Sequence, residues 1–581
     1  MRLTRKRKNR RQGQGRQRGQ RTGLRAESLE SRQLLTTWFV DADMPTGSGT
    51  SWGDPFADLQ DAVAVSTAGD EIWVAEGTYQ PGTNRHASFH MQSGVDWYGG
   101  FQGVSFDYPL GESSPDQRSW SSNPTILSGD VANDDVYVQH GPGDTYGVED
   151  LLMQINNNQE NNHHVVSGAQ DARLDGFFVE GGNSNGLCSS AATPVSICHL
   201  PASWPAVYEH GGGLFAPNGT PMVENVVFRF NSAIQGGGVY TEGSLLASLD
   251  DPNFRNVVFH NNLAEQLGAG MYNNGSDVYL ENAVFHKNHV VGAGGLGGGL
   301  MISGGGDTII VNSTFYGNWA HAGGGVAVRT ADVAIINSIV HGNGVVVASG
   351  TEDVFHAGGG QVFAAYSNFS MGLPANVIDG GGLNYDFPFW AAPDTAEGPD
   401  NTWVTDDDGL LLNEFSVCHD AATASMLLPN GLLVEAPEDD ILGTLRVDPS
   451  NPGDGIDMGA YELGYSPIVI GDPDPGPEPD PPIDIPGAGG WNGDWMHRQE
   501  GERGPDQRKK SRHSEPSGSL VSGKEMPLHH LIEGRFIEPA RTEKRVGKKV
   551  VSKDEFFHQL GLAEFMQSEY TERLVNKLRR A

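Results

Sequence analysis

Five side chains able to do chemistry recur one residue after a repeated apolar position: Arg229, His260, His286, Tyr316 and His341. Each follows the Phe or Val of a short frame, N-x-x-[F/V]-x-x-N, at 225–231, 256–262, 282–288, 312–318 and 337–343. If the apolar residue of each copy points into a core, strand alternation turns the next residue outward. Stacked copies would then align the five into an exterior column. Such a column could stack on sugar rings, or bind a metal through His260 and His286. Outward ladders also arise in any repeat that binds nothing.

Other chemistry leaves fewer traces. A uronate lyase needs acids that hold calcium and a basic residue that abstracts a proton α to a carboxylate. The arginines inside the repeats are Arg229, Arg255 and Arg329, and none stands in a recognisable acidic constellation. A glycosidase needs two carboxylates at a set separation, which spacing along a solenoid does not reveal. No HExxH or Walker fingerprint is present, and the Gly clusters have the wrong context for phosphate cradles. Calcium is a candidate ligand at Asp406-Asp-Asp-Gly409 and at Asp130-Val-Ala-Asn-Asp-Asp135, though neither has EF-hand spacing. Both runs also read as solvated loops. Cys188 and Cys198 are a candidate disulfide, with two free thiols as the alternative, and Cys418 has no evident mate.

The elements that must position these residues follow from the repeat. The frame recurs after 31, 26, 30 and 25 residues, and a Gly cluster with an apolar pair follows each copy, as in Gly236-Gly-Gly-Val-Tyr240 and Gly297-Gly-Gly-Leu-Met301. A unit this short, with two β-like runs, cannot bury its apolar face alone and must stack. Its Gly and Asn content argues against helical repeats. Stacking parallel strands about 4.8 Å apart places Phe228, Phe259, Phe285, Phe315 and Val340 in one inward column. It places Asn231, Asn262, Asn288, Asn318 and Asn343 in an amide ladder at a turn. The predicted class is all-β, a parallel β-helix. Residues 54–68 read as a short cap helix burying Phe56, Leu59, Ala62 and Val63.

The alternation of F-x-x-N with G-G-[apolar] resembles the repeats of chlamydial polymorphic membrane proteins, a family of right-handed β-helical surface adhesins. The flanks resemble bacterial surface proteins with a pectin-lyase-like fold, through Phe39-Val-Asp-Ala-Asp43, Gly69-Asp-Glu-Ile-Trp-Val-Ala-Glu-Gly-Thr-Tyr79 and the closing Asp457-Met-Gly-Ala-Tyr-Glu462. Leu29-Glu-Ser-Arg-Gln-Leu-Leu35 is similar to the N-terminal tag of planctomycete surface proteins. The resemblance implies a right-handed solenoid and an extracellular, cell-surface or outer-membrane-associated location. It implies a role in adhesion, in envelope structure or in binding a polysaccharide or surface protein. The alternative is a polysaccharide lyase or glycoside hydrolase of the same fold.

Charge divides the chain. The net charge of -35 hides a basic start, with 12 Lys/Arg against two acids in residues 1–35, and a basic end, with 18 basic and 13 acidic residues in 497–581. The middle keeps 8 basic and 58 acidic residues, with Lys287 its one lysine. Such a body repels nucleic acid and anionic lipid and attracts divalent cations. No apolar run reaches the length of a membrane helix. The predicted organisation is a basic disordered or targeting segment at 1–37, the β-helix at 38–465 with an N-terminal cap and an irregular C-terminal region at 384–447, and a Pro/Gly-rich linker at 466–496. A polar basic tail follows at 497–551. An amphipathic helix at 552–581 opens on the capping box Ser552/Glu555 and could dock an unknown partner.

Overall fold

The computed structural model describes residues 35–463, except 105–109, 139–153, 185–186, 191–192, 198–208, 218, 244–251, 346–352, 371, 401 and 448–454. The basic segment up to residue 34, the Pro-rich linker, the polar tail and the C-terminal helix expected from the sequence lie outside the described residues. So do the side chains of Cys188 and Cys198.

The path of one coil explains the repeat. Leu300–Ser303 runs in an eight-stranded sheet, Thr308–Val311 and Thr314–Tyr316 in an eighteen-stranded sheet, and Trp319–Ala320 in a six-stranded sheet. The next coil repeats the path at Val326–Val328, Val333–Ile336, Ile339–His341 and Gly344–Val345, each strand parallel to its counterpart. The protein is an all-β, right-handed parallel β-helix.

Identical side chains meet because the register is exact in whole residues. Phe228 pairs with Phe259, Phe259 with Phe285, Phe285 with Phe315, and Phe315 with Val340. All five are fully buried. Ring centroids lie 5.5, 4.2 and 4.4 Å apart along the column, close to the strand spacing. Beneath the column, Asn262 Nδ2 donates to Asn288 Oδ1 at 3.0 Å, Asn288 to Asn318 at 2.9 Å, and Asn318 to Asn343 at 2.9 Å. Each amide nitrogen also satisfies a main-chain carbonyl, as Asn288 does at Phe259 (2.8 Å). The ladder therefore meets the polar demand of a buried turn. At the next corner, a Cβ on Gly270 would stand 2.6 Å from the Gly299 carbonyl oxygen, so the chain passes its neighbour too closely for any side chain.

Helix Leu59–Val65 closes the first coil, its N-terminus capped by Asp58 and its Leu59, Ala62 and Val63 buried. Strands continue beyond the last copy of the frame, at Val354–His356, Val362–Ala365, Asn368–Phe369 and Val377–Asp379. From about residue 384 the chain turns back along the helix. Trp390, Trp403, Leu410, Ile441, Met458 and Tyr461 pack on Val227, Val258, Val284 and Ile339, on the outer face of the large sheet. No helix among the described residues is long and apolar enough to cross a membrane.

Candidate functional site

The five outward residues lie in register on neighbouring strands of the large sheet, preceded by Glu180: Glu180–Arg229, Arg229–His260, His260–His286, His286–Tyr316 and Tyr316–His341. They point out of the coil, but they do not form a solvent face. His260, His286 and His341 are 4%, 0% and 8% exposed. Trp403 lies 5.0 Å from the His260 ring and 5.5 Å from His286, and Trp390 lies 4.5 Å from Tyr316. Phe387 covers His341 at 5.4 Å. From His260 to His341 the exterior column expected from strand alternation is thus an interface beneath the returning C-terminal arm, while Arg229 stays partly exposed. The frame carried a signal of this. The residue before each Phe or Val also points outward, and it is Val227, Val258, Val284 or Ile339 in four of the five copies. An apolar residue on the outer face needs a cover.

The polar atoms of the column are largely spent on one another. Arg229 Nε lies 2.7 Å from Glu180 Oε2, with its guanidinium over the Phe178 ring. His260 Nδ1 and His286 Nδ1 are 3.1 Å apart, and the two rings stack at 5.1 Å. His341 Nδ1 bonds Asn368 Oδ1 at 2.9 Å. Burial, and after it the Lys287 charge, holds His260 and His286 far below the usual histidine range, so both are neutral imidazoles. Burial pushes His341 down to about 4, partly offset by its bond to Asn368. The other repeat arginines contrast. Arg255 is paired with Glu281 (3.1 Å) and Asp439 (2.6 Å), while Arg329 is exposed.

Three groups among the described residues bring metal-ligating atoms within 4.8 Å of one another: His260, His286 and Glu397; His419, Asp420 and Asp457; and Asp130, Asp134, Asp135 and Glu160. Two neutral imidazoles and a carboxylate are donors that suit zinc, and Glu397 comes from the arm. The run Asp406–Gly409 belongs to none of the groups. Burial raises Asp408 to about 7, and its Oδ2 accepts from Tyr461 Oη (2.6 Å) and Val404 N (2.9 Å). It ties the end of the arm, at Tyr461, to the arm's own loop.

Sequence reasoning missed the residues that fasten the arm. The first Asn of each frame, at 225, 256, 282, 312 and 337, adopts a left-handed backbone, with φ between 46° and 54°. These residues build a second, outer amide ladder, with Asn256 to Asn225 and Asn282 to Asn256 both at 3.1 Å. Arg446, 1% exposed, bonds Asn282 Oδ1 at 2.7 Å and Glu462 Oε2 at 3.1 Å. Asn312 donates to the Asp457 carbonyl at 3.0 Å, and Asn337 to that of Thr423 at 2.8 Å. The signal was the constancy of that first Asn across five copies.

Against known proteins, residues 212–371 match a family model described as a right-handed β-helix region. Among solved structures the chain is similar to pectate lyase Pel9A, with 11% identity over 74% of this chain and 96% of that one, at a TM-score of 0.30. It is also similar to XylC solved with xylose, with 12% identity over 74% of this chain and 98% of that one, at 0.28. No curated protein matches. Likeness at this level assigns no residue role here.

Proposed function

We propose that the protein is an exported or cell-surface β-helix that binds a polysaccharide or a partner protein, or serves as envelope structure, without turning a glycan over. The observation that supports this reading best is the sealing of the outward column. Most of the basic side chains singled out in the repeats are instead committed, Arg329 being the exposed exception. His260 and His286 lie neutral beneath Trp403, Arg229 is held by Glu180, and Arg255 is held by Glu281 and Asp439. An arginine paired in this way is a poor candidate for abstracting a substrate proton. A rigid wall locked by two amide ladders and an arm suits presentation of a fixed surface, and the acid-rich middle of the chain suits a salty exterior.

The test is to offer the full chain a panel of neutral and uronic-acid polysaccharides, with and without calcium, and to follow binding together with new reducing and unsaturated ends. Saturable binding without product supports the reading. Turnover that disappears in Arg229→Ala or Arg329→Ala would replace it with the lyase or hydrolase alternative.

A further inference from the structure

The loop after coil strand Thr125–Ser128 carries Asp130, Asp134 and Asp135 into the paired strands Val136–Val138 and Gln154–Asn156, and Glu160 follows on the return. Ligand atoms of all four carboxylates lie within 4.8 Å of one another. Among the described residues none of the four is paired with a lysine, arginine or histidine. Arg85 is near enough to feel the Glu160 charge, but its donors go to the carbonyls of Asn161 (3.1 Å) and Asn183 (3.2 Å).

A second observation points the same way. Asn161 is 1% exposed, and its Nδ2 donates to Asp135 Oδ2 at 2.8 Å and to the Gly181 carbonyl at 2.7 Å. Those two bonds fix which end of the amide is oxygen. The contact with Asp135 puts this amide at the edge of the carboxylate group, and its Oδ1 is buried with no hydrogen-bond partner. Asp135 Oδ1 and Glu160 Oε1 are likewise buried and unpartnered. A buried acceptor without a donor is costly, and a cation held among these carboxylates, with the Asn161 amide at their edge, would offset that cost.

We propose that Asp130, Asp134, Asp135 and Glu160, with Oδ1 of Asn161, form a calcium site that fastens the strand pair 136–138/154–156 to the β-helix wall. The donors are all oxygen, which disfavours zinc and copper. Five protein ligands suit calcium, which takes six to eight oxygens, better than magnesium, which keeps most of its water. Burial and the neighbouring carboxylates raise Asp135 to about 7, and burial raises Glu160 as well.

Tyr137, two residues from Asp135 and stacked on Phe230 at 4.0 Å, supplies an optical antenna. The experiment titrates the full chain with terbium under tyrosine excitation, then competes with calcium or magnesium, with calorimetry of calcium alone in parallel. The expected result is one saturable luminescent site that calcium displaces at least tenfold more effectively than magnesium. Asp135→Asn and Glu160→Gln each weaken it at least tenfold. Tyr137→Phe dims the luminescence and leaves the calorimetric affinity unchanged. The proposal is overturned if the unmodified chain gives no saturable calcium binding. It is equally overturned if both carboxylate variants bind as the unmodified chain does, which would place the ion elsewhere on the acidic surface. Because the unmodified chain alone can refute it, a variant that fails to fold does not protect it.

Discussion

Substituting Asn288 by alanine tests whether the inner amide ladder holds the coils in register. Asn288 Nδ2 donates to the Phe259 carbonyl (2.8 Å) and to Asn318 Oδ1 (2.9 Å), while its Oδ1 accepts from Asn262 N (3.1 Å) and Asn262 Nδ2 (3.0 Å). The residue is fully buried. Alanine removes all four bonds. At a net value of about 1 kcal/mol per bond, Asn288→Ala should cost about 4 kcal/mol. Asn288→Asp keeps the acceptor for Asn262 but turns a charged oxygen toward two other acceptors. It should be at least as damaging at neutral pH, and less so in acid, where protonation restores a donor. Gln266→Ala is the control, because Gln266 only accepts a 3.3 Å bond from Gln235 at the surface, and its cost should stay within about 0.5 kcal/mol. Guanidinium unfolding of the three variants provides the comparison. An Asn288→Ala midpoint no lower than that of Gln266→Ala would refute the reasoning.

Other variants probe the remaining layers. Phe285→Ala empties a fully buried position between rings 4.2 and 4.4 Å away and should cost about 3–5 kcal/mol in the same unfolding assay. Arg446→Met strips Glu462 and Asn282 of their buried partner and should cost about 3–5 kcal/mol, with a red shift of tryptophan emission as the arm loosens and exposes Trp403. His341→Gln separates one titration from the rest. Burial holds folded His341 down to about 4, below its unfolded value, so the stability it confers is present above about pH 6.5 and lost as pH falls through 4. The advantage of His341 over the Gln variant should shrink by up to about 3 kcal/mol between pH 7 and pH 4, and a constant difference would contradict the assignment.

What could be read in the sequence was whatever repeats. The frame around Phe228, Phe259, Phe285 and Phe315 declares an inward column because each copy supplies one rung. The final Asn of each copy declares the ladder for the same reason. The cap helix was legible from the apolar face of Leu59, Ala62 and Val63, although it spans only Leu59–Val65 of the expected 54–68 and Phe56 lies before its Asp58 cap. The arm was not. Its contacts join residues far apart in sequence and occur once each: Arg255 with Asp439, Asn282 with Arg446, Asn312 with Asp457. A unique docking leaves no period to detect. For this reason His260, His286 and His341 read as surface residues when they are interface residues. Asp408, which resembles part of an acidic loop, is an anchor for Tyr461.

Carbethoxylation of the folded chain near pH 7, followed residue by residue by mass spectrometry, puts the sealed outer face to the test most directly. Exposed His90 should be modified rapidly, whereas His260 and His286, beneath Trp403, should stay unmodified until the arm is unfolded. Modification of His260 and His286 as fast as His90 would contradict the account and return the column to the solvent.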